Sequence, residues 1–298
     1  MKNRFILIML FLFTMESAFG QSAYYEKYQN LAHSGDTVGL AKLIPEWEKA
    51  EGSTGDVYAA WFNYYLLTDM SDCLSLTVSK PNGESIAFQD STGKVAGYIG
   101  GQTTFGSRGM QLVLKKLDEG IAKYPDRVDL AFGKVHLLLN QYFFKDAVKE
   151  LHRVLDRSLV NKNEWKWTHD ESPANDGEGQ LFLRSCMQDY FTQFYEQRQD
   201  SLAMVFVDDV IQHYPKSVYF LNNKAALYAQ NGKTKEALDM FLKIHELDPS
   251  DDLVTLNIGL LYRGIDKKKA KSYLEKLVKS SDERVRGAAT GALEELSR

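Results

Sequence analysis

The stretch YPKSVYFLNNKAALYAQNGKTKEALDMFLKIHELDP, residues 214–249, predicts two helices joined by a tight turn. Gly232 supplies a left-handed stop for the first helix, and Thr234 is placed to cap the second. Pro249 ends that second helix, because the residue before a proline resists the α conformation. The apolar residues of both segments recur at helical spacing, at Leu221, Ala225, Tyr228, Ala237, Leu238, Phe241 and Ile244.

Within this helix pair a small residue, then Tyr, then Ala, Phe and Pro stand at fixed offsets, namely Ala225, Tyr228, Ala237, Phe241 and Pro249. The pattern resembles that of the tetratricopeptide repeat (TPR), a helix–turn–helix unit of about 34 residues. The resemblance implies an all-α fold, a TPR-like α-solenoid of antiparallel helix pairs. In that family the first helices of successive pairs line a concave groove that usually holds a peptide or protein segment.

The same position of the second helix recurs along the chain, at Val113, Ala147, Ala203, Ala237 and Ala270. Successive members of this series are 34, 56, 34 and 33 residues apart. The one long step exceeds the 34-residue step by 22 residues, which predicts an insertion between two regular repeats. A segment of suitable length and composition lies at residues 158–179.

The same spacing places every helix of the array in a single TPR-like domain over residues 21–298. The predicted first helices are 128–139, 181–196, 218–230 and 253–263, and the second helices are 110–123, 145–156, 201–213, 234–247 and 267–279. Before them, residues 24–33, 37–50 and 57–68 read as helices of the same style. After them, a capping helix is predicted at 282–297, opened by a capping-box spacing at Ser280 and Glu283.

A change of period interrupts the helices at residues 73–100. Leu74, Leu76 and Val78 alternate with polar residues, Asn82-Gly83 is a hairpin turn, and Ile86 and Phe88 alternate on the return, before a third strand at 94–99. We expect a small inserted β-hairpin or meander, which must pack on the helices or on a partner because a bare hairpin is marginal in water. Gly97, Gly100, Gly101 and Gly106 are expected in a loop, where they serve turns and close packing rather than a phosphate cradle.

The first twenty residues predict a secretory signal peptide. Lys2 and Arg4 precede an apolar run at residues 5–13, and Ala18-Phe19-Gly20 supplies a small-residue cleavage site. Cleavage near Gly20 predicts a periplasmic or secreted chain with no transmembrane segment in its mature part. The formal charge moves from −4 to −5, because two cations and one anion are removed, and this mild acidity argues against a nucleic-acid partner. We expect a monomer.

The insertion carries Trp165 and Trp167, two residues apart and so on one side of an extended segment, with His169 close by. Long irregular loops within repeats are often functional. Two interpretations stay open: the tryptophans clamp the loop onto the solenoid, or Trp165, Trp167 and His169 contribute to a binding site. The second interpretation, with the β insertion, gives an alternative function as a carbohydrate or small-ligand binder.

The TPR resemblance also predicts which residues face the groove. They are Gln188, Asp189, Thr192, Tyr219, Asn222, Asn223, Ala226, Leu253, Leu256, Asn257, Leu260 and Arg263. Some TPR proteins clamp a C-terminal carboxylate with paired Lys and Asn residues. This chain offers Asn223 and Asn257 without the matching lysine, and these two could equally be structural hydrogen-bonding residues between helices.

No chemistry-bearing motif assembles along the chain. His169-Asp170-Glu171 lacks zinc spacing, Gly106-Ser107-Arg108-Gly109 is not a nucleophile elbow, and Cys73 and Cys186 could be paired or free. We therefore expect no catalytic residue, metal or cofactor. The sequence favours an exported, non-enzymatic TPR-like scaffold or envelope assembly factor that binds a protein or peptide.

Overall fold

The structure, a computed structural model, describes residues 22–78, 80, 84–175 and 177–297. The predicted signal peptide and the Asn82-Gly83 turn lie outside these residues. None of the described helices is long and apolar enough to cross a membrane. The chain divides into two compact units, unit 1 (Met1–Arg184) and unit 2 (Ser185–Arg298). The expectation of one continuous domain over residues 21–298 stays a prediction.

Thirteen α-helices and three strands are described, in the order α1 (Ala23–Ser34), α2 (Thr37–Glu51), α3 (Gly55–Asp69), β1 (Met70–Thr77), β2 (Ser85–Gln89), β3 (Val95–Phe105), α4 (Ser107–Lys123), α5 (Val128–Asn140), α6 (Phe144–Val160), α7 (Gly179–Glu196), α8 (Asp200–His213), α9 (Val218–Gln230), α10 (Thr234–Leu247), α11 (Asp252–Tyr262), α12 (Lys267–Glu275) and α13 (Glu283–Ser297). A 3₁₀ turn, Thr168–Asp170, lies between α6 and α7. Both units are built from antiparallel helix pairs, so the TPR-like all-α fold with a small β insertion is confirmed.

In unit 1 the first core lies between α1, α2 and α3, where Tyr28, Leu40, Ile44, Trp47 and Val57 are buried. A second core joins α3 to α4 and α5. The helix α3 contributes to both because its apolar residues cover most of its circumference, as expected of a helix between two neighbours. This sandwiched position makes α3 the centre of unit 1.

The β insertion is a three-stranded antiparallel sheet in the order β1-β3-β2. The small inserted β element is confirmed, and β2 and β3 form an antiparallel hairpin. The hairpin predicted between β1 and β2 is wrong, because each of these strands pairs with β3 and not with the other. The prediction of a glycine loop was also wrong: Gly97, Gly100 and Gly101 lie within β3, which runs on to Phe105. The alternation of apolar and polar residues predicts where the strands lie, but it does not predict which strands are hydrogen-bonded to each other.

One face of this sheet is apolar and open to solvent. The register places Leu76 and Ile86 on either side of Ile99, and Phe88 opposite Gly97. Leu76 and Ile86 are each 72% exposed. The insertion was expected to pack on the helices or on a partner. The described helices do not cover Leu76 and Ile86, and packing on a partner stays a prediction.

In unit 2, α9 and α10 form the pair read from residues 214–249, with Ala225, Ala237, Phe241 and Ile244 buried between them and α11. Gly232 is left-handed at φ 71°, as predicted. The capping prediction for Thr234 was wrong, since Thr234 is the first helical residue and the position before it, Lys233, makes no side-chain cap hydrogen bond.

The C-terminal end of unit 2 is closed by α13, as the capping-helix prediction requires. Its buried residues Val285, Ala289 and Ala292 pack with Leu256 and Leu274. The capping box was misplaced by two residues: the Asp282 carboxylate accepts from the amides of Arg284 and Val285, while the Ser280 hydroxyl donates to Asp252. The preceding helix α12 ends at Glu275, four residues before the predicted end.

Candidate functional site

The predicted groove residues of α9 are reachable from solvent. Tyr219 is 68% exposed, and Asn222, Asn223 and Ala226 are half-buried. One repeat period further on, Leu253 occupies the equivalent position at the start of α11 and is 53% exposed. Successive first helices therefore present a large apolar side chain at the same place.

Asn223 has a structural role as well. Its Nδ2 donates to Gln188 Oε1 at 2.7 Å, and Gln188 Nε2 donates back to Asn223 Oδ1 at 3.4 Å. This amide pair ties α7 to α9, which is the structural alternative left open for the asparagines. Asp189 and Thr192 on α7 are exposed, and the Thr192 hydroxyl donates to the Gln188 carbonyl.

Three of the residues expected in the groove on α11 are engaged elsewhere. Leu256 is buried and Leu260 packs with it in the core that includes α13, so neither lines an open surface. Arg263 pairs with Glu295 of α13. These three residues are not available because the C-terminal helix α13 packs against the face of α11 that carries them. Asn257 stays half-buried.

The insertion loop is clamped onto unit 1 by its tryptophans. Trp165 is only 3% exposed, and the Trp167 ring lies 6.5 Å from that of Phe132 and 6.3 Å from that of Phe182. The backbone between them bridges to the start of α5, where Lys166 N donates to Asp126 O and Val128 N donates to Lys166 O. The clamp interpretation describes this geometry, and an exposed stacking platform for a sugar is absent from these two residues.

A buried ionic cluster joins this loop to α3 and α5. Arg127 forms a fork with Asp129, at 2.9 Å from Nε and 2.8 Å from Nη2, and its Nη2 also donates to Asp56 at 2.9 Å. From the loop, His169 Nδ1 lies 3.3 Å from Asp56 Oδ2, and Asp170 lies 3.6 Å from Arg127. The cluster replaces the hydration of these groups with charge-assisted hydrogen bonds.

The backbone of the loop pays a conformational cost to reach this cluster. His169 and Asp170 are both left-handed, at φ 58° and 56°, although neither is glycine. Such residues cost about 1–3 kcal/mol each and persist only where the surroundings hold them. Here the His169 amide donates to both carboxylate oxygens of Asp56, at 3.2 and 3.3 Å.

The charges of the cluster shift one another's pKa values. For Asp56, burial raises the pKa, but the hydrogen bonds from His169 and the Arg127 charge outweigh it and the pKa lies below its usual value. The hydrogen bond to Asp56 raises the pKa of His169, against the opposing effect of burial. Burial raises the pKa of Asp129 despite its fork with Arg127. These shifts favour the charged forms of both His169 and Asp56.

Beside the cluster lies a cavity of about 70 Å³. Its walls come from α1, α3, α4, α5 and the insertion loop, chiefly from Tyr25, Tyr28, Asp56, Asn63, Asp129 and Trp167. Sequence reasoning singled out only Trp167 of these. The other five lie on three helices, α1, α3 and α5, that are far apart in the chain. The sequence indicates them only weakly, by a carboxylate or amide at Asp56, Asn63 and Asp129 in helices that are otherwise mostly apolar.

Other chemistry is not assembled among the residues that the structure describes. They contain no group of three or more His, Cys, Asp or Glu side chains placed to hold a metal ion. Cys186 is a free thiol, and burial, with the nearby Asp189 charge, raises its pKa to about 12. A thiol with so high a pKa is a poor nucleophile at neutral pH.

Comparison with known proteins adds distant structural likenesses. No protein-family model matches the chain, and no curated protein matches it. The TPR domain of Arabidopsis OM64 is 18% identical, with a TM-score of 0.35, and covers 38% of this chain and 93% of its own. YrrB, a TPR protein with an unusual peptide-binding site, is 16% identical, with a TM-score of 0.38, and covers 62% of this chain and 84% of its own.

PilF of Pseudomonas aeruginosa is 10% identical, with a TM-score of 0.38, and covers 90% of this chain and 96% of its own. Because these proteins are so distant from this chain, their partners and activities are not transferred to it. The fold is read from the chain itself, from its antiparallel helix pairs and the 34-residue step between equivalent positions. In its fold, this chain is a tetratricopeptide-like helical-repeat protein.

Proposed function

We propose that this protein is an exported, non-enzymatic scaffold that binds a protein or peptide segment through the first helices of unit 2, and that it acts in assembly at the cell envelope. The observation that carries the proposal is the pair Tyr219 and Leu253. Both are exposed, at 68% and 53%, although the helix pairs behind them are well packed. Large apolar side chains at equivalent positions suit a partner that contacts successive repeats.

The neighbouring side chains supply the polar part of such a site. Asn222 and Asn257 are half-buried on α9 and α11, and Asp189 and Thr192 are exposed on α7. Amides and hydroxyls of this kind hydrogen-bond the backbone of an extended segment, whereas the apolar residues contribute buried area. Export rests on the predicted signal peptide alone, and N-terminal sequencing of the mature protein is expected to begin at Gln21.

Site-directed photo-crosslinking tests the binding surface. A photoreactive amino acid in place of Tyr219 is expected to give discrete adducts in the native host. The matched control is the same amino acid in place of Val205 on α8, which is 57% exposed and lies on a second helix. Equal adducts at the two positions, or none at position 219, would contradict a binding role for the first helices.

Two leucine variants test the same surface quantitatively, through the yield of the adduct at position 219. Leu253→Gln is expected to reduce adduct yield at position 219 by fivefold or more, because it removes the second apolar contact. Leu247→Gln, at a residue 54% exposed on the second helix α10, should leave the yield unchanged. Circular dichroism of both variants establishes that the helices are intact.

A further inference from the structure

The walls of the cavity in unit 1 combine aromatic faces with hydrogen-bond acceptors. Tyr25, Tyr28 and Trp167 supply rings, while Asp56 and Asp129 supply the only charges among the lining residues. The cations that pair with these carboxylates, Arg127 and His169, are not among the residues that line the cavity. A ligand in the cavity therefore faces anionic and aromatic groups.

The balance of charge in the cluster is negative. Asp56, Asp129 and Asp170 oppose Arg127 and His169, which leaves one net negative charge when His169 is protonated and two when it is neutral. The field of these charges is stronger beside a partly buried wall than in bulk water. This field repels phosphate and carboxylate ligands and attracts a cation.

One acceptor in the wall lacks a partner. Asn63 Nδ2 donates to the Tyr28 hydroxyl at 2.7 Å, but Asn63 Oδ1 is buried and receives no hydrogen bond. A buried, unsatisfied acceptor costs free energy that a donor from a ligand recovers. The bond to Tyr28 anchors this side chain on α3, with the amide nitrogen toward the hydroxyl and the oxygen left without a partner.

The size of the cavity limits the ligand. A volume of about 70 Å³ is several times the roughly 10–15 Å³ that one water molecule needs by the same measure. It accommodates an ammonium group with a few attached methylene groups. Tyr25, Asn63 and Trp167 are only half-buried, so the cavity is reachable from solvent.

We propose that this cavity binds a primary ammonium group, with Asn63, Asp56 and Asp129 accepting hydrogen bonds from its nitrogen and the aromatic rings contacting its methylene stem. A primary ammonium has three N–H donors and no acceptor, which matches a wall of acceptors. The rings add cation–π attraction. The group comes from a lysine side chain of a protein partner or from a small free amine.

Isothermal titration calorimetry of the mature chain, residues 21–298, tests the proposal. The probes are Nα-acetyl-lysine methylamide, Nα-acetyl-norleucine methylamide, whose side chain has the same four carbons without the terminal ammonium group, and ethylammonium chloride. We expect the lysine derivative to bind at least tenfold more tightly than the norleucine derivative. Comparable binding of these two, or binding of neither, would overturn the proposal and leave a water-filled cavity.

A variant pair locates the site. Asn63→Leu removes the free acceptor and is expected to weaken lysine binding about tenfold or more. The matched control, Asn140→Leu, changes an exposed asparagine at the end of α5 and should bind the lysine derivative like the parent protein. Unweakened binding by Asn63→Leu, with an unchanged melting temperature, would exclude this cavity as the site.

The third probe identifies the source of the ammonium group. If ethylammonium binds within threefold of the lysine derivative, a small free amine satisfies the site. If the lysine derivative binds at least tenfold more tightly, a peptide side chain is the ligand. This cavity lies in unit 1 and the proposed protein-binding surface in unit 2, so either proposal can fail without the other.

Discussion

Removing the guanidinium of Arg127 should destabilise unit 1 strongly. Arg127 is only 2% exposed and makes three charge-assisted hydrogen bonds, two to Asp129 and one to Asp56. Arg127→Met keeps most of the side-chain volume but leaves Asp129 as an unpaired buried anion. Truncating one partner of a buried ion pair costs about 3–5 kcal/mol, so we expect the free energy of unfolding to fall by that amount.

The chain contains a matched control for this prediction. Arg157 forms the same fork with Asp126, at 2.9 Å from Nε and 3.0 Å from Nη2, but both side chains are 32% exposed. Water solvates the carboxylate when this arginine is removed, so Arg157→Met should cost only about 0–1 kcal/mol. The two arginines make the same two-bond fork with a carboxylate and differ in how deeply they are buried.

Urea denaturation followed by circular dichroism measures both variants, and hydrogen exchange of α3 and α5 assigns the loss to unit 1. The deficit of Arg127→Met should also shrink between pH 7 and pH 3.5, because protonation neutralises the unpaired carboxylates. In the parent protein the pKa of Asp56 is depressed, so its contribution is complete above the unfolded-state pKa and is lost as pH falls. A loss below about 1 kcal/mol, or one equal to that of Arg157→Met, would refute this account.

Three further predictions concern the loop, the amide pair and the sheet. His169→Ala should speed proteolysis of the loop at residues 161–178, more at pH 6 than at pH 8. The pKa of His169 is raised, so its ionic contact with Asp56 is complete below about pH 6.5 and is lost as pH rises through the folded-state pKa. An equal effect at both pH values would contradict this contact. A double-mutant cycle of Gln188→Leu and Asn223→Leu should give a coupling of about 0.5–1.5 kcal/mol in urea unfolding, and zero coupling would remove the amide pair as a link between α7 and α9. Leu76→Thr should change the free energy of unfolding by no more than about 0.5 kcal/mol, because this side chain is 72% exposed, and a loss above about 1 kcal/mol would show that the apolar face is covered.

The helices could be predicted to within a few residues because their signals are local. Both α9 and α10 begin and end where the sequence places them, at Val218–Gln230 and Thr234–Leu247. Gly232 marks the turn because a left-handed residue is needed there. The helix cap was less predictable: Asp282, and not Ser280, caps α13, since several polar residues near a helix start compete for the same amides.

The candidate sites depended more on packing than on pattern. Tyr219 and Leu253 were predicted in the groove and are exposed, whereas Leu256 and Leu260 were predicted there and are covered by α13. The repeat register assigns equivalent positions to Asn222 and Leu256. It does not show that the last repeat has a different neighbour from the one before.

The sequence by itself determined the all-α repeat fold, the bounds of most helices to within a few residues and the presence of an insertion near residues 158–179, because periodicity, turn residues and repeat length act over tens of residues. Only the tertiary structure decided the strand order β1-β3-β2 and where the insertion docks. Asp56 and His169 meet although they are 113 residues apart, and the cavity beside them draws its walls from four helices and a loop. Such a site has no sequence period, since it forms only when the packed helices bring its side chains together.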